Sequence, residues 1–376
     1  MRILHTIYDH PENPWLGGGG AFRTFEICKR LASRHEITIL CGNYPGASGE
    51  KCQDGLRIIH VGSPRSYITS RLSYSALASR FVANQFPDIW TYSFSAFAPI
   101  IASAKSRQSA ILECFHLMQK HATEKHPLLG RVAAATETAT LNAYDDVISI
   151  SPSVSKEIAS LRGCTKGIRV VYTGVDTSCF IDDSVEGDYI LYFGRLDTYT
   201  KGLDTLIEAF SKLPQTGPRL VVAGRGTKER VAELREMMGS FGISDRVTLT
   251  NSVDTETKTA LFRESLFNVA PSRYEGWCIA AIEASAASKA VVGTRIPGLM
   301  DAVKEGKTGL LAKPGNVSSV AEAMRRLIDE PSLRQELGKH GREWANQFTW
   351  DSVALAQEKM YLDVIDRRTQ NSTGAP

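Results

Sequence analysis

The chain begins with an alternation of strand, glycine loop, helix and strand, and this pattern constrains its fold more than any other feature. Residues 2–7 predict a short buried strand, and residues 17–20 are consecutive glycines. A predicted helix at residues 21–33 then leads to a strand at residues 36–40, which is rich in β-branched side chains. Two strands that a helix connects lie parallel in one sheet. The same alternation starts again at residues 189–193. The sequence therefore predicts two doubly wound α/β domains.

The length of 376 residues also favours two domains. We predict an N-terminal domain at residues 1–167, a C-terminal domain at residues 168–350, and a final helix with a polar tail at residues 351–376. The final helix is amphipathic and lies too far along the chain to belong to the second sheet. Further predicted elements are strands at residues 56–61, 89–92, 110–114, 146–150, 247–249, 267–270 and 290–293, and a helix at residues 98–105.

Composition and charge narrow the class of protein. The chain has 44 Lys+Arg against 41 Asp+Glu and a formal net charge of +3, which argues against a nucleic-acid partner. Seven cysteines without a C-x-x-C pair argue against a disulfide framework or a zinc site. No apolar run approaches the roughly 20 residues that span a bilayer, and no signal peptide is visible. We therefore expect a reduced, cytoplasmic protein whose only membrane contact would be peripheral and through the first domain. The basic stretch at residues 120–131 would either touch anionic lipid there or form a solvated surface.

Two carboxylates bracket a segment that begins at a glycine. Glu275 lies in a turn, and Glu283 lies inside the helix that is predicted from Cys278 onward. Eight residues separate the two, or about 12 Å along a helix axis. The backbone N–H groups of Gly276, Trp277 and Cys278 lie between them and form an anion site. A nucleotide-sugar, with hydroxyls at both ends and phosphate in the middle, fits this arrangement. The alternative is a buried helix flanked by two exposed glutamates.

Arg195 and Lys201 follow the first strand of the second half. They emerge at the carboxyl end of the sheet, where ligands bind in open α/β folds. A planar guanidinium and an ammonium group can together neutralise a diphosphate without a metal. The alternative is a pair of ordinary surface cations on a loop.

Several weaker features lie on other loops. Gly18 and Gly19 would let the backbone approach an anionic ligand at the start of the first helix, or would form a lid or tight turn without contacts. Gly224 would either line the nucleotide or permit a tight turn, and Ser252 follows the next strand, where the base could rest. His116 follows a strand of the first domain, where it would hydrogen-bond a sugar hydroxyl or be structural; His121 and His126 receive no catalytic role.

Some sites are absent from the sequence. It has no Asp-x-Asp and no His, Cys and Asp cluster with metal-ligand spacing, so we expect no metal and no other cofactor. The P-loop and Gly-x-Ser-x-Gly patterns are also absent. No acidic residue ends the second strand, which argues against a nicotinamide cofactor.

On these residues the chain resembles the retaining GT-B glycosyltransferases of family 4. The most specific part of the resemblance is the spacing from Glu275 to Glu283 within Tyr-Glu-Gly-Trp-Cys-Ile-Ala-Ala-Ile-Glu-Ala, followed by Gly-Arg-Leu with Lys-Gly at residues 194–202. The resemblance implies two Rossmann-like domains that face each other across a cleft. It also implies a C-terminal helix that crosses back to the first domain.

The resemblance also implies roles for the residues at these positions. Glu275 would contact the transferred sugar, Glu283 the ribose hydroxyls, and Arg195 and Lys201 the diphosphate. The amides of residues 276–278 would hold the sugar and phosphate. The loop with Gly18 and Gly19, together with His116, would face the sugar and acceptor. Members of the family transfer with retention, by a route in which the leaving diphosphate takes the acceptor proton.

The reaction that the resemblance implies is transfer of a hexose-type sugar from a UDP- or GDP-sugar to a glycan, lipid-linked or small-molecule acceptor, in polysaccharide or glycoconjugate biosynthesis. The chain departs from the family at Thr173, where Asn is usual, and at Trp277, where Phe is commoner. An epimerase or phosphorylase on the same architecture is the alternative enzyme, and a nucleotide-sugar-binding subunit is the alternative without catalysis. The sequence does not specify the base, the sugar, the acceptor or the linkage.

Overall fold

The protein is described here from a computed structural model, which covers residues 1–15, 17–117, 119, 127–183 and 185–373. The chain divides into two compact units. Unit 1 consists of Met1–Thr173 together with Trp350–Pro376, and unit 2 is the intervening Gly174–Thr349.

Unit 1 is a layered α/β unit. Its strands are β1 (Arg2–Thr6), β2 (Glu36–Gly42), β3 (Glu50–Gln53), β4 (Leu56–Val61), β5 (Ile89–Ser93), β6 (Ala110–Cys114), β7 (Asp146–Ser149) and β8 (Ile168–Val170). Its first helices are α1 (Gly19–Leu31), α2 (Tyr67–Ala83), α3 (Ala104–Arg107), α4 (Pro127–Ala143) and α5 (Pro152–Arg162).

The strands of unit 1 form one sheet in the order β3-β4-β2-β1-β5-β6-β7-β8. All neighbours run parallel except β3, which is antiparallel to β4 at one edge. Side chains alternate between the faces of a strand. Accordingly Ile3 and Leu4 of β1 enter different hydrophobic clusters. The sheet therefore has an apolar core on each face.

Unit 2 repeats this architecture. Its strands are β9 (Tyr189–Phe193), β10 (Arg219–Gly224), β11 (Val247–Asn251), β12 (Ser265–Ala270), β13 (Val291–Thr294) and β14 (Gly309–Ala312). Its helices are α6 (Leu203–Ser211), α7 (Lys228–Ser240), α8 (Thr255–Glu264), α9 (Ile279–Ala286), α10 (Pro297–Ala302), α11 (Val317–Asp329) and α12 (Pro331–Ala345). The last helix, α13 (Trp350–Thr373), returns to unit 1.

The second sheet is parallel throughout, in the order β11-β10-β9-β12-β13-β14. The chain builds outward from β9 to β11 on one side and then places β12 on the other side of β9. The connections therefore change direction between β9 and β12. In open α/β sheets, such a switch point leaves a crevice at the carboxyl ends of the two strands.

The predicted α/β fold class is confirmed. The predicted crossing of the final helix is also confirmed, since Trp350, Met360 and Tyr361 of α13 are buried in the same cluster as α1. The predicted boundary after residue 167 precedes β8, which pairs with β7, and the chain leaves unit 1 only after Thr173. None of the helices described is both long and apolar enough to cross a membrane.

One helix prediction was wrong. Residues 98–103 are not helical, and α3 begins only at Ala104. The N–H of Ile100 donates instead to the hydroxyl of Tyr92, at 2.9 Å, and the hydroxyl of Ser103 caps α3.

Candidate active site

The loops that follow β9 and β12 meet at the switch point of the second sheet. The N–H of Arg273 donates to the carbonyl of Thr200 at 3.0 Å, which joins the two loops through the backbone. The guanidinium of Arg273 binds both carboxylate oxygens of Asp204, at 2.7 and 2.9 Å, and the carbonyl of Tyr199 at 2.8 Å. It also lies over the Tyr199 ring, 4.7 Å from the centroid. Arg273 therefore fixes the position of the β9 loop against the β12 loop.

The close approach of the two loops also requires a glycine. Gly202 has φ +67, and a Cβ at this position would come within 2.0 Å of the carbonyl oxygen of Pro271. No side chain fits there without displacing the backbone.

This packing brings Lys201 and Glu275 together. The ammonium group of Lys201 donates to Oε1 of Glu275, and the hydroxyl of Ser272 donates to the same oxygen at 3.1 Å. The two charged side chains are 20% and 14% exposed, so the pair is largely shielded from water. The family resemblance implied a diphosphate contact for Lys201 and a sugar contact for Glu275. The structure places the two in contact.

Arg195 lies on the same loop as Lys201 and is half-exposed. Its guanidinium is 3.7 Å from the carboxylate of Asp197, and its carbonyl accepts from the hydroxyl of Tyr192 at 2.7 Å. Burial acts to raise the pKa of Asp197, but the N–H of Thr200 and the charge of Arg195 outweigh it and leave that pKa lowered. Asp197 therefore stays ionised, and the backbone of Arg195 is held while its side chain reaches toward solvent.

The segment that follows Glu275 is packed in the interior of unit 2. Trp277 is buried with its ring edge-on to Phe348, 5.1 Å between centroids, so the indole packs in the interior of unit 2. Gly298, at the start of α10, lets this segment approach closely, because a Cβ there would lie 2.3 Å from the carbonyl oxygen of Glu275. Residues 276–278 are all buried, and the binding of an anion by their amides stays a prediction.

Cys278 departs from the predicted helix start. It has φ +80 and ψ +84, and α9 begins one residue later, at Ile279. A non-glycine residue in this region of backbone space is strained and is held there by its surroundings. Burial raises the pKa of its thiol to about 12, so Cys278 is not a thiolate nucleophile.

Glu283 is buried within α9 and pairs with a lysine that the sequence did not single out. The ammonium group of Lys258, on α8, donates to Oε1 of Glu283 at 2.9 Å. Burial acts to lower the pKa of Lys258, but the charge of Glu283 raises it overall. The alternative of two exposed glutamates is therefore wrong, because both carboxylates are shielded and each contacts a lysine. No motif surrounds Lys258 that could have identified it from the sequence.

Gly224 and Ser252 lie at the ends of the neighbouring strands β10 and β11. A Cβ on Gly224 would come within 1.8 Å of the carbonyl oxygen of Gly194, which accounts for a glycine there by packing alone. Ser252 has φ +54, is exposed, and donates its N–H to the carbonyl of Gly224 at 3.2 Å. Both residues thus lie at the carboxyl edge of the sheet that also bears Lys201 and Glu275.

The glycine loop of unit 1 is anchored by a carboxylate that no sequence motif indicated. The N–H of Gly18 donates to Oδ2 of Asp9 at 2.8 Å, and the N–H of Gly17 donates to Oδ1 at 2.9 Å. Burial raises the pKa of Asp9, and the N–H groups of Gly18, Gly17 and His10 oppose that shift. The Gly18 amide is therefore engaged within the protein, and Gly19 begins α1. The position of an aspartate shortly after the first strand was the available signal.

His116 lies near the same loop in unit 1. It is exposed and comes two residues after β6, and the adjacent Phe115 packs against Gly20, where a Cβ would lie 2.6 Å from its ring. Gly18, Gly19 and His116 therefore share the carboxyl edge of the first sheet. His121 and His126 lie outside the described residues, as does most of the basic stretch at residues 120–131. Within the described ranges, no three His, Cys, Asp or Glu side chains form a group that could hold a metal.

Two family models match the chain. "Glycosyl transferases group 1" matches residues 182–344, and "Glycosyltransferase Family 4" matches residues 17–178. Glycogen synthase of Mycobacterium tuberculosis is 25% identical, and the alignment covers 96% of this chain and 94% of the synthase.

Solved structures share the fold. The sucrose-phosphate synthase of Thermosynechococcus elongatus superposes with a TM-score of 0.82 at 21% identity, covering 98% of this chain and all of that one. Anabaena Alr3699/HepE, in complex with UDP and glucose, superposes with a TM-score of 0.72 at 17% identity, covering 96% of this chain and all of that one.

Proposed function

The chain belongs to the group 1 glycosyltransferases of the GT-B fold, and we propose that it transfers a hexose-type sugar from a UDP- or GDP-sugar with retention of configuration and without a metal. The acceptor would be a hydroxyl group of a glycan, of a lipid-linked saccharide or of a small molecule.

The contact between Lys201 and Glu275 carries this proposal. A largely shielded ammonium–carboxylate pair lies at the switch point of the second sheet, and Arg195 lies on the same loop. A diphosphate carries more negative charge than one carboxylate and would attract both cations. Glu275 could then release Lys201 and accept hydrogen bonds from the sugar hydroxyls. In this proposal the ion pair is the resting arrangement, which donor binding exchanges for ligand contacts.

The transfer itself needs stabilisation of the leaving group more than a strong base. The bond from the anomeric carbon to the diphosphate oxygen breaks, and a bond from that carbon to the acceptor oxygen forms on the same face. The acceptor proton passes to the departing phosphate oxygen. Negative charge builds on the diphosphate during this step, and preorganised cations at that position lower the barrier. Arg195 and Lys201 would have this role.

Two further observations support the proposed donor and the proposal that transfer needs no metal. The HepE structure, which shares the fold, contains UDP and glucose, so UDP-sugars are the first donors to test. Two cations beside the diphosphate position would supply the charge that a divalent metal provides in other transferases. The sequence has no Asp-x-Asp pair to bind such a metal.

The test is to incubate the full chain with α-linked UDP- and GDP-sugars, with and without a panel of glycan and small-molecule acceptors. We expect acceptor-dependent release of nucleoside diphosphate, undiminished by a chelator, and an α-linked product by NMR. A β-linked product would contradict retention, and chelator sensitivity would contradict metal independence. Conversion of the donor sugar without any acceptor would identify an epimerase instead.

A further inference from the structure

The outer face of α2 is apolar, which is unusual for a surface helix. Its inner face buries Ser70, Tyr74 and Val82. Ile68 and Leu72, one turn apart on the outer side, are 69% and 67% exposed. A surface helix normally carries charged and polar residues on the side away from the core. Since α2 has apolar residues on both sides, its outer face is suited to contact something other than water.

The apolar surface continues onto the loop that precedes α3. The guanidinium of Arg71 lies 5.5 Å from the centroid of the Phe97 ring, which joins the start of α2 to this loop. Further along, the N–H of Ile101 donates to the hydroxyl of Ser79 at 2.9 Å. The side chain of Ile101 is 81% exposed.

The end of α2 is joined to α3 in the same way. The ammonium group of Lys105 lies over the ring of Phe86, 5.0 Å from the centroid. We refer to the surface of Ile68, Leu72, Arg80, Phe86, Phe97, Ile101 and Lys105 as the α2–α3 face.

The charged side chains of this region are mostly basic. Between Arg57 and Glu113 the sequence contains one acidic residue, Asp88, whose carboxylate accepts from the N–H of Arg2 at 2.7 Å. The basic residues of the same stretch are Arg65, Arg71, Arg80, Lys105 and Arg107. The α2–α3 face therefore combines exposed apolar side chains with cations, and the one carboxylate of this stretch, that of Asp88, is paired with Arg2.

We propose that the α2–α3 face docks the protein on an anionic lipid surface. Exposed Ile, Leu and Phe side chains would enter the boundary between headgroups and acyl chains, while Arg80 and Lys105 meet the phosphates. A second copy of this chain is a poorer occupant, because a two-fold interface would bring the same cations against each other. The surface differs from the stretch at residues 120–131, and the proposal does not depend on the donor or the reaction.

The test uses sedimentation of the full chain with two kinds of vesicle, phosphatidylcholine alone and phosphatidylcholine mixed with phosphatidylglycerol. We expect binding to the mixed vesicles, weakened by added salt. Lys105→Gln and Arg80→Gln should each lower the partition coefficient about five-fold, since one cation near such a surface contributes about 1 kcal/mol. Leu72→Glu should lower it further. Leu355→Glu is the matched control, because Leu355 is an exposed leucine on α13 of the same unit.

Several outcomes would overturn the proposal. These are equal binding to both vesicles, no binding to either, or a Leu72→Glu variant that binds as well as Leu355→Glu. Size-exclusion chromatography with light scattering tests whether a second copy of the chain covers the α2–α3 face instead. A dimer that Leu72→Glu dissociates would show that the face is an interface between copies. Circular dichroism of each variant separates loss of binding from loss of folding.

Discussion

A lysine contacts each of the two glutamates of the candidate site, Glu275 and Glu283. Lys201 binds Glu275, and Lys258 binds Glu283, and all four side chains are largely shielded. Removing one partner of such a pair leaves the other charge uncompensated. The two lysines differ in position, because Lys201 follows β9 on the loop that bears Arg195, whereas Lys258 lies on α8. Their substitutions should therefore change different kinetic constants.

Replacing Lys201 should affect the chemical step. In Lys201→Met we expect kcat to fall by about 100-fold or more, because a cation that stabilises charge on the leaving diphosphate is lost. Release of nucleoside diphosphate under saturating donor measures this effect. Lys212→Met is the control, since Lys212 lies in the same unit in an exposed pair with Glu208. An unchanged kcat in Lys201→Met would remove this lysine from the proposed mechanism.

Replacing Lys258 should affect donor binding instead. Its charge holds one oxygen of Glu283, and a hydrogen bond to a charged group contributes about 1.5–3 kcal/mol. We expect Lys258→Met to raise the KM for the donor about 10- to 100-fold with a smaller change in kcat, and Lys258→Arg to restore most of the affinity. Steady-state kinetics with varied donor tests this prediction. Equal KM values for the Met variant and the wild type would contradict it.

Lys289 gives a prediction about pH. It is buried with its ammonium group donating to the carbonyl of Val185 at 2.7 Å, and burial lowers its pKa from 10.5 to about 8. Between these values the unfolded chain binds a proton at Lys289 that the folded protein does not. The free energy of unfolding therefore rises with pH across this interval, by an amount on the order of 1–3 kcal/mol.

The variant Lys289→Met should lack that rise. Chemical unfolding of the wild type and the variant at pH 7 and pH 10 measures the difference between them, in which the contributions of other titrating groups cancel. We expect the wild type to gain stability relative to the variant at the higher pH. A difference that is constant with pH would show that Lys289 titrates normally.

At the scale of elements, the site depends on how closely two loops approach. Gly202 directly precedes α6 and lies beside the carbonyl of Pro271. Gly202→Ala should therefore displace the β9 loop, lower donor turnover and destabilise unit 2. Gly242→Ala is the matched control, because Gly242 has φ +65 but open space where its Cβ would lie. Gly242→Ala should lower the free energy of unfolding by only roughly 1–2 kcal/mol, the cost of a left-handed backbone for a residue with a Cβ. Equal turnover and stability in the two variants would mean that the close contact at Gly202 has no role.

The elements that the sequence predicted share a strong local signal. The strands with buried, β-branched runs were found, whereas β3 was missed because its sequence, Glu-Lys-Cys-Gln, is polar and it pairs at a sheet edge. β8 has only three residues, too few to show a pattern, and β14 was also missed. The helix predicted from residue 98 failed because a tertiary hydrogen bond, from Ile100 to Tyr92, determines that backbone.

The residues of the candidate site likewise fall into two groups, those with a local sequence pattern and those without one. The spacing of Glu275 and Glu283 and the cations after β9 were visible as local patterns. The bond between Arg273 and Asp204 joins residues 69 positions apart, and the one between Lys258 and Glu283 joins residues 25 apart. Such pairings follow from the order of strands in the sheet, which local periodicity does not determine. The sequence therefore predicted which groups could bind a ligand, but its local patterns did not indicate which groups hold them in place.

At the scale of the whole molecule, unit 1 is assembled from two separate parts of the chain. A buried arginine of α1 contacts both parts. Arg23 pairs with Glu113 of β6, donates to the carbonyl of Val171 at 2.9 Å just before the chain enters unit 2, and donates to Gln357 of α13 at 2.9 Å. Arg23 thus connects the first helix, the sheet, the exit to unit 2 and the returning helix.

Replacing Arg23 should therefore destabilise unit 1 as a whole. Arg23→Met leaves the carboxylate of Glu113 buried and uncompensated, which should reduce the free energy of unfolding by about 3–5 kcal/mol. Lys29→Met, on the same helix, should lose less than about 1 kcal/mol, because Lys29 and its partner Asp54 are both exposed. Adding Glu113→Gln to Arg23→Met should recover part of the loss, because it removes the unpaired charge. Hydrogen exchange by mass spectrometry locates the effect: peptides of β6, α1 and α13 should lose protection while those of unit 2 keep theirs. Loss confined to α1 would show that Arg23 stabilises its own helix and not the junction of the two chain segments.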